Sequence, residues 1–192
     1  QRQMCIRDSV NTPQQTFRAA LGQFFVKETS TENLAAARSL IERSETAGAD
    51  LLVLPECIIA RRLGMPDWGQ KHAEPLDGPF VSGLREATRG RRVTVVCTVQ
   101  AKIANESRYA NDLLVIQNGE LRLTYQKIHL YDAFRGKESS YAAPGDVLPQ
   151  VLQIGPFKVG FLTCYDVRFP EMTRALALSL IHISEPTRPE PI

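Results

Sequence analysis

The chain has 192 residues, 43% of them hydrophobic and 23% charged, with a formal net charge of +2. That is enough chain for one domain with a real core, and the composition is that of an ordinary globular protein. The near balance of charge gives no electrostatic case for a nucleic-acid partner or an anionic membrane surface, and no apolar run approaches the roughly 20 residues that span a bilayer.

In chain order, the first feature lies at the N-terminus. Met4-Cys5-Ile6-Arg7-Asp8-Ser9 can be encoded by a short DNA string whose reverse complement, read in a shifted frame, encodes Leu178-Ser179-Leu180-Ile181-His182-Ile183. Two unrelated protein termini have no reason to be antisense readings of one DNA, and both strings resemble a translated sequencing-library adapter. Residues 1–9 and 178–192 are therefore expected to be read-through and are set aside, as a fusion scar would be. Residues 10–177 remain as native chain, cut off in mid-domain.

Phe17 to Val26 is apolar and strand-like. Ser30 or Thr31 can cap a helix starting near Glu32, with Leu34, Ala37, Leu40 and Ile41 at helical spacing and Gly48 as its stop. Asp50 to Pro55 reads as a short, fully apolar strand, which completes a βαβ unit. Ala60 to Pro79 is rich in Gly and Pro and predicts a loop, followed by a helix over Phe80 to Thr88 and a β-branched strand over Arg92 to Val99. Asn118-Gly119 between Tyr109–Ile116 and Glu120–Lys127 is a hairpin signal. Asp132 to Asp146 is a polar loop, Val151–Ile154 and Phe157–Thr163 a second hairpin, and Pro170 can open a helix. A βαβ unit with antiparallel hairpins predicts an α/β layered sheet protein. The four cysteines lack the short paired spacing of a zinc site or disulfide framework, and no secretory signal precedes them, so a reducing, cytoplasmic setting is expected.

Three apolar runs end in a reactive side chain: Leu-Leu-Val-Leu-Pro-Glu56 in a carboxylate, Leu-Thr-Tyr-Gln-Lys127 in an amine, and Val-Gly-Phe-Leu-Thr-Cys164 in a thiol. Ligands in open α/β sheets bind beyond the carboxyl ends of strands, and a nucleophile on a strand-to-helix turn is exposed beside free backbone N–H groups. A thiol, a base and a cation suit hydrolysis of an unactivated amide: the carboxylate takes the thiol proton and later returns it to the leaving ammonia, while the cation stabilises the oxyanion. Taken singly, each residue also fits a structural role. Cys164 fits a small buried hydrophobe, Glu56 a helix-start carboxylate, and Lys127 a solvated strand end. Periodicity alone leaves the function undecided.

The segments Leu54-Pro55-Glu56, Tyr125-Gln-Lys-Ile-His-Leu-Tyr-Asp132 and Gly160-Phe-Leu-Thr-Cys-Tyr-Asp-Val-Arg-Phe-Pro-Glu171 resemble the nitrilase superfamily of carbon–nitrogen hydrolases, over about Arg18 to Ala177. The resemblance implies an α/β fold, a four-layer αββα sandwich that is C-terminally incomplete here, and a Glu–Lys–Cys triad on Glu56, Lys127 and Cys164. It implies a second glutamate at Glu138, ahead of Pro144-Gly145-Asp146, that positions the lysine or the substrate amide. The wording is most similar to the branch of deaminated glutathione amidases and omega-amidases. That branch implies a small-molecule amide substrate, no metal or organic cofactor, no nucleic-acid or membrane partner, and a homo-oligomeric full-length protein. Because such substrates are anionic, Arg168 and Tyr165 are expected on the substrate-binding side, Arg168 as a carboxylate partner. An N-carbamoyl amide hydrolase or aliphatic nitrilase is the alternative within enzymes. A non-catalytic binding domain of the same fold is the alternative from another class, and the intact triad argues against it.

The nucleotide sequence of the reading frame tests the treatment of the ends. Codons for 4–9 and 178–183 should form one inverted repeat; codons incompatible with such a repeat would return both segments to the native protein.

Overall fold

The computed structural model describes residues 16–134 and 136–181. The segment expected as read-through at the N-terminus lies outside them, as does the C-terminal one from residue 182 onward.

The chain opens with strand β1 (Ala19–Leu21), then helix α1 (Ser30–Thr46) and strand β2 (Leu51–Val53). The expected strand over Phe17 to Val26 is thus only three residues long. It sits at the sheet edge, where it has one neighbour, and beyond it Gly22 N still bonds Val53 O at 2.8 Å. The α1 cap is Thr29, one residue before the expected positions: its hydroxyl accepts from Glu32 N at 3.4 Å and donates to a Glu32 carboxylate oxygen at 2.6 Å. The hydroxyl thus caps a free N–H of the first turn and is itself held by the Glu32 carboxylate. Gly48, at φ +67°, takes the left-handed conformation that ends the helix.

The expected loop over Ala60 to Pro79 contains a short helix, α2 (Trp68–Lys71). Helix α3 (Pro79–Thr88) follows, with proline in its first turn, where no intrahelical partner for an N–H is needed. Then come the long strands β3 (Thr94–Lys102), β4 (Tyr109–Gln117) and β5 (Glu120–Gln126). Asn118 and Gly119, at φ +49° and +79°, make the tight turn of the β4–β5 hairpin. A two-residue strand β6 (Ala142–Ala143), the hairpin β7 (Leu152–Ile154) and β8 (Phe157–Val159), and helix α4 (Pro170–Ile181) complete the described chain.

The main sheet has the order β1-β2-β3-β4-β5. The first three strands are parallel, and β4 and β5 are antiparallel to their neighbours. Alternation of side chains divides the sheet into two faces. Leu52, Leu54, Val95, Val99, Leu114 and Ile116 meet α1 and α3 on one face. Leu51, Val96, Leu113, Val115 and Leu123 meet the β7–β8 hairpin, Phe161 and Met172 of α4 on the other. Central strands β3 and β4 are therefore buried on both sides, which explains their near-continuous apolar runs.

This second face is where the site forms. Its apolar residues give way, at the end reached by β2, β3 and β5 and where β4 begins, to Thr98, Gln100, Asn111 and Lys127. At that end the edge changes hands: β5 pairs with β4 as far as Asp112, and β6 then pairs with Tyr109 and Ala110. Lys127 sits at the changeover, its N–H bound to Asn111 O at 2.9 Å and its carbonyl accepting from Gly145 N at 2.9 Å. Gly145 lies so close to the Gln126 backbone that any Cβ there would collide with it. Among the described residues no helix is long and apolar enough to cross a membrane.

One buried charge on the helix-facing side has no part in the site. Asp112 is 7% exposed and, among the described residues, its carboxylate has no partner. Burial pushes its pKa from 3.8 up to about 6. The folded state therefore holds this proton over a range where the unfolded chain has lost it. Stability falls as pH rises from about 4 to about 6, by about 3 kcal/mol at 1.36 kcal/mol per pKa unit. Asp112→Asn should raise the urea midpoint at pH 8 and change it much less at pH 4; an equal change at both pH values would show that the charge is not the cause.

Candidate active site

Glu56 follows β2 by two residues past Leu54, on a segment pinned to β3. Cys57 N donates to Thr98 Oγ1 at 2.7 Å, and Ile58 N to Thr98 O at 3.0 Å. The buried Gln100 amide bonds Cys57 O, Ile59 N and Ala60 O at 2.9–3.1 Å. Cys57 adopts φ +56°, a strained conformation for a residue with a Cβ, which this web of bonds holds in place.

Lys127 is 1% exposed. Its Nζ lies 3.0 Å from Glu56 Oε1 and 2.9 and 3.1 Å from the two oxygens of Glu138. Asn111 Nδ2 bridges the same carboxylates, donating to Glu56 Oε1 at 2.8 Å and Glu138 Oε1 at 3.2 Å. Glu138 also accepts Tyr131 N at 2.7 Å on Oε2. Both Glu138 oxygens are therefore occupied twice. Glu56 carries its bonds on Oε1, and among the described residues no hydrogen bond reaches Oε2. Burial alone would lower the Lys127 pKa, but the charge of Glu56 and the bonds and charge of Glu138 outweigh it, and the ammonium is held protonated above its ordinary range.

Cys164 begins a one-turn 3₁₀ helix (Cys164–Arg168) in the left-handed region at φ +45°. Asp166 anchors this turn. It is fully buried and accepts Tyr125 Oη at 2.9 Å, His129 N at 2.9 Å and Thr163 N at 3.3 Å, with His129 Nδ1 at 3.0 Å. Phe169 stacks on the His129 ring at 3.5 Å between centroids. The turn bearing the thiol and the segment bearing the ammonium are thus tied through one carboxylate.

Glu56, Lys127, Glu138 and Cys164 line one cleft of about 390 Å³. Tyr165 stands beside it, edge-on to Tyr131 and Phe169 at 5.2 and 5.6 Å. Arg168 is exposed and is not among the residues lining the cleft. Asn111, Gln100 and Asp166 did not emerge from sequence reasoning. The available signal for Asn111 was a polar residue in phase with Leu113 and Val115 on a strand buried on both faces. Among the described residues no cluster of three or more His, Cys, Asp or Glu side chains is arranged to hold a metal ion.

The Cys164 thiol is raised above its ordinary pKa by burial and by the Glu56 charge and hydrogen bond, with Lys127 pulling the other way. These influences favour the thiol over the thiolate beside the Glu56 carboxylate.

The carbon–nitrogen hydrolase family model matches residues 16–183. The chain belongs to the carbon–nitrogen hydrolase family. It is 35% identical over 159 residues to the deaminated glutathione amidase of Escherichia coli O157:H7, covering 83% of this chain and 60% of that protein. It is 29% identical over 167 residues to the omega-amidase of Xenopus tropicalis, covering 82% of this chain and 58% of that one. Among solved structures it is similar to a mutant amidase from Nesterenkonia sp. AN1 that shows Michael addition of acrylamide at its active-site cysteine, with 28% identity and a TM-score of 0.71 over 84% of this chain and 63% of that one. The likeness to nitrilase-superfamily structures bears out the expected α/β fold. The chain spans about 60% of the length of these curated relatives.

The opposed influences on Cys164 predict opposite shifts. Glu56→Gln should move the pH profile of Cys164 alkylation by iodoacetamide to lower pH, and Lys127→Met should move it higher, as read by mass spectrometry of the Cys164 peptide. A shift to higher pH in Glu56→Gln would contradict the assigned electrostatics.

Proposed function

We propose that the full-length protein is an amidase that cleaves the carbon–nitrogen bond of a small linear amide through a thioester on Cys164. The reading is carried by one observation: a buried ammonium shared by two carboxylates, only one of which keeps an oxygen for a proton, in the same cleft as the thiol. Glu56 is the general base. It takes the Sγ proton as sulfur attacks the amide carbonyl carbon. Lys127 Nζ and the Tyr165 N–H, which lies in the first turn of the 3₁₀ helix where intrahelical acceptors are lacking, stabilise the oxyanion. The Glu56 acid then protonates the leaving nitrogen, and ammonia departs as the thioester forms. Glu56 next deprotonates water, whose oxygen attacks the thioester. The carboxylic acid product leaves and the proton returns to sulfur. Glu138, saturated with hydrogen bonds, holds Lys127.

The substrate class follows from the relatives named as deaminated glutathione amidase and omega-amidase: the terminal amide of deaminated glutathione or of a short alpha-keto acid. Ammonia release from alpha-ketoglutaramate, deaminated glutathione, an N-carbamoyl amino acid and an aliphatic nitrile tests this directly. The first two should be turned over fastest. Glu56→Gln should lower kcat by about 10²–10⁴-fold, the usual worth of a general base, and Cys164→Ala should abolish turnover. Persistent turnover in Cys164→Ala would overturn the nucleophile assignment.

A further inference from the structure

The floor of the cleft carries more negative than positive charge. Glu56 and Glu138 face the single Lys127 ammonium, so one negative charge is left unbalanced beside Cys164. A substrate bearing its own carboxylate is repelled by that floor unless a cation elsewhere in the cleft receives it.

Two arginines line the cleft on the segment that follows Glu56. Arg62 is already engaged: its Nε lies 3.5 Å from Glu28 Oε1, and its guanidinium carbon stands 5.0 Å from the centre of the Trp68 ring. Arg61 is different. Among the described residues its guanidinium has no carboxylate partner and donates no hydrogen bond, while its backbone N–H is bound to Lys27 O at 2.9 Å. The preceding residue, Ala60, is held through its carbonyl by Gln100 at 2.9 Å. The root of the side chain is therefore fixed and its head is unengaged. Arg61 lines the same cleft as Tyr141, Glu138, Lys127 and Cys164. Arg168 does not line the cleft.

We propose that Arg61 is the specificity-determining residue of this site, receiving the carboxylate of a substrate whose amide faces Cys164 and so selecting amides with a carboxylate at the opposite end. The guanidinium fork matches the two oxygens of a carboxylate, and the carboxylate supplies the partner that Arg61 lacks. This inference rests on the amidase reading above.

The probes are glutaric acid monoamide, which carries the carboxylate, and pentanamide, which does not. The ratio of their kcat/KM values should fall about 10- to 100-fold in Arg61→Gln, the range of a charge-assisted hydrogen bond. The loss should be mainly in KM for the anionic amide, with partial recovery in Arg61→Lys. A second readout needs no turnover: the concentration of each amide that half-protects Cys164 from iodoacetamide. For the anionic amide it should rise by about tenfold or more in Arg61→Gln, relative to the neutral one. Turnover with an unchanged ratio overturns the role of Arg61 and leaves the amidase reading standing. Selective, Arg61-dependent protection without turnover of either amide overturns hydrolysis and supports the recognition role. Neither turnover nor protection in the unsubstituted protein overturns both.

Discussion

A buried ammonium is the constraint on which this structure turns. Lys127 is almost wholly removed from water, and an unpaired ion in that position costs several kcal/mol. Two carboxylates, one from the segment after β2 and one from the loop before β6, converge on it, and Asn111 spans them from β4. Each member thus depends on the others. The ends of two strands and the start of a third must meet at one point for the charge to be tolerated, and the mixed order of the sheet brings them there. The antiparallel β4 starts where β2, β3 and β5 finish.

The same network separates two chemically identical side chains. Glu138 spends both oxygens on fixed donors and acts as a support. Glu56 is partly exposed, bonds through one oxygen, and lines the same cleft as the thiol. Burial and the nearby carboxylate raise the Cys164 thiol above its ordinary pKa, which in the proposed reaction gives Glu56 the proton to take. Asp166 completes the design from the other side. It gathers donors from Tyr125, His129 and Thr163 and so fixes the nucleophile's turn against the strand that delivers Lys127. The left-handed backbone at Cys57 and Cys164 shows where this convergence is held against local preference.

Charge balance extends the argument outward from the triad. Two carboxylates outnumber the Lys127 ammonium, so in the proposed reading the far carboxylate of an anionic substrate is left to cations on the cleft wall, and the segment after Glu56 supplies them. Arg62 packs on Trp68 and pairs with Glu28, which leaves Arg61 as the cleft arginine without a partner among the described residues.

The sequence by itself determined the parts governed by local rules. Gly48 ends α1, Asn118-Gly119 turns the β4–β5 hairpin, and Pro170 opens α4, because helix-stop and turn chemistry act over a few residues. Apolar runs ending in Glu56, Lys127 and Cys164 marked the reactive positions through motif wording. Only the tertiary structure decided how far strands extend, since β1 is cut short by its place at the edge and β3 runs beyond its β-branched core because both faces are covered. Only the fold showed that Asn111 and Asp166 hold the site and that Arg61, not Arg168, lines the cleft. Those relations join residues tens of positions apart, and hydrogen-bond partners chosen across a sheet leave no periodic trace along the chain.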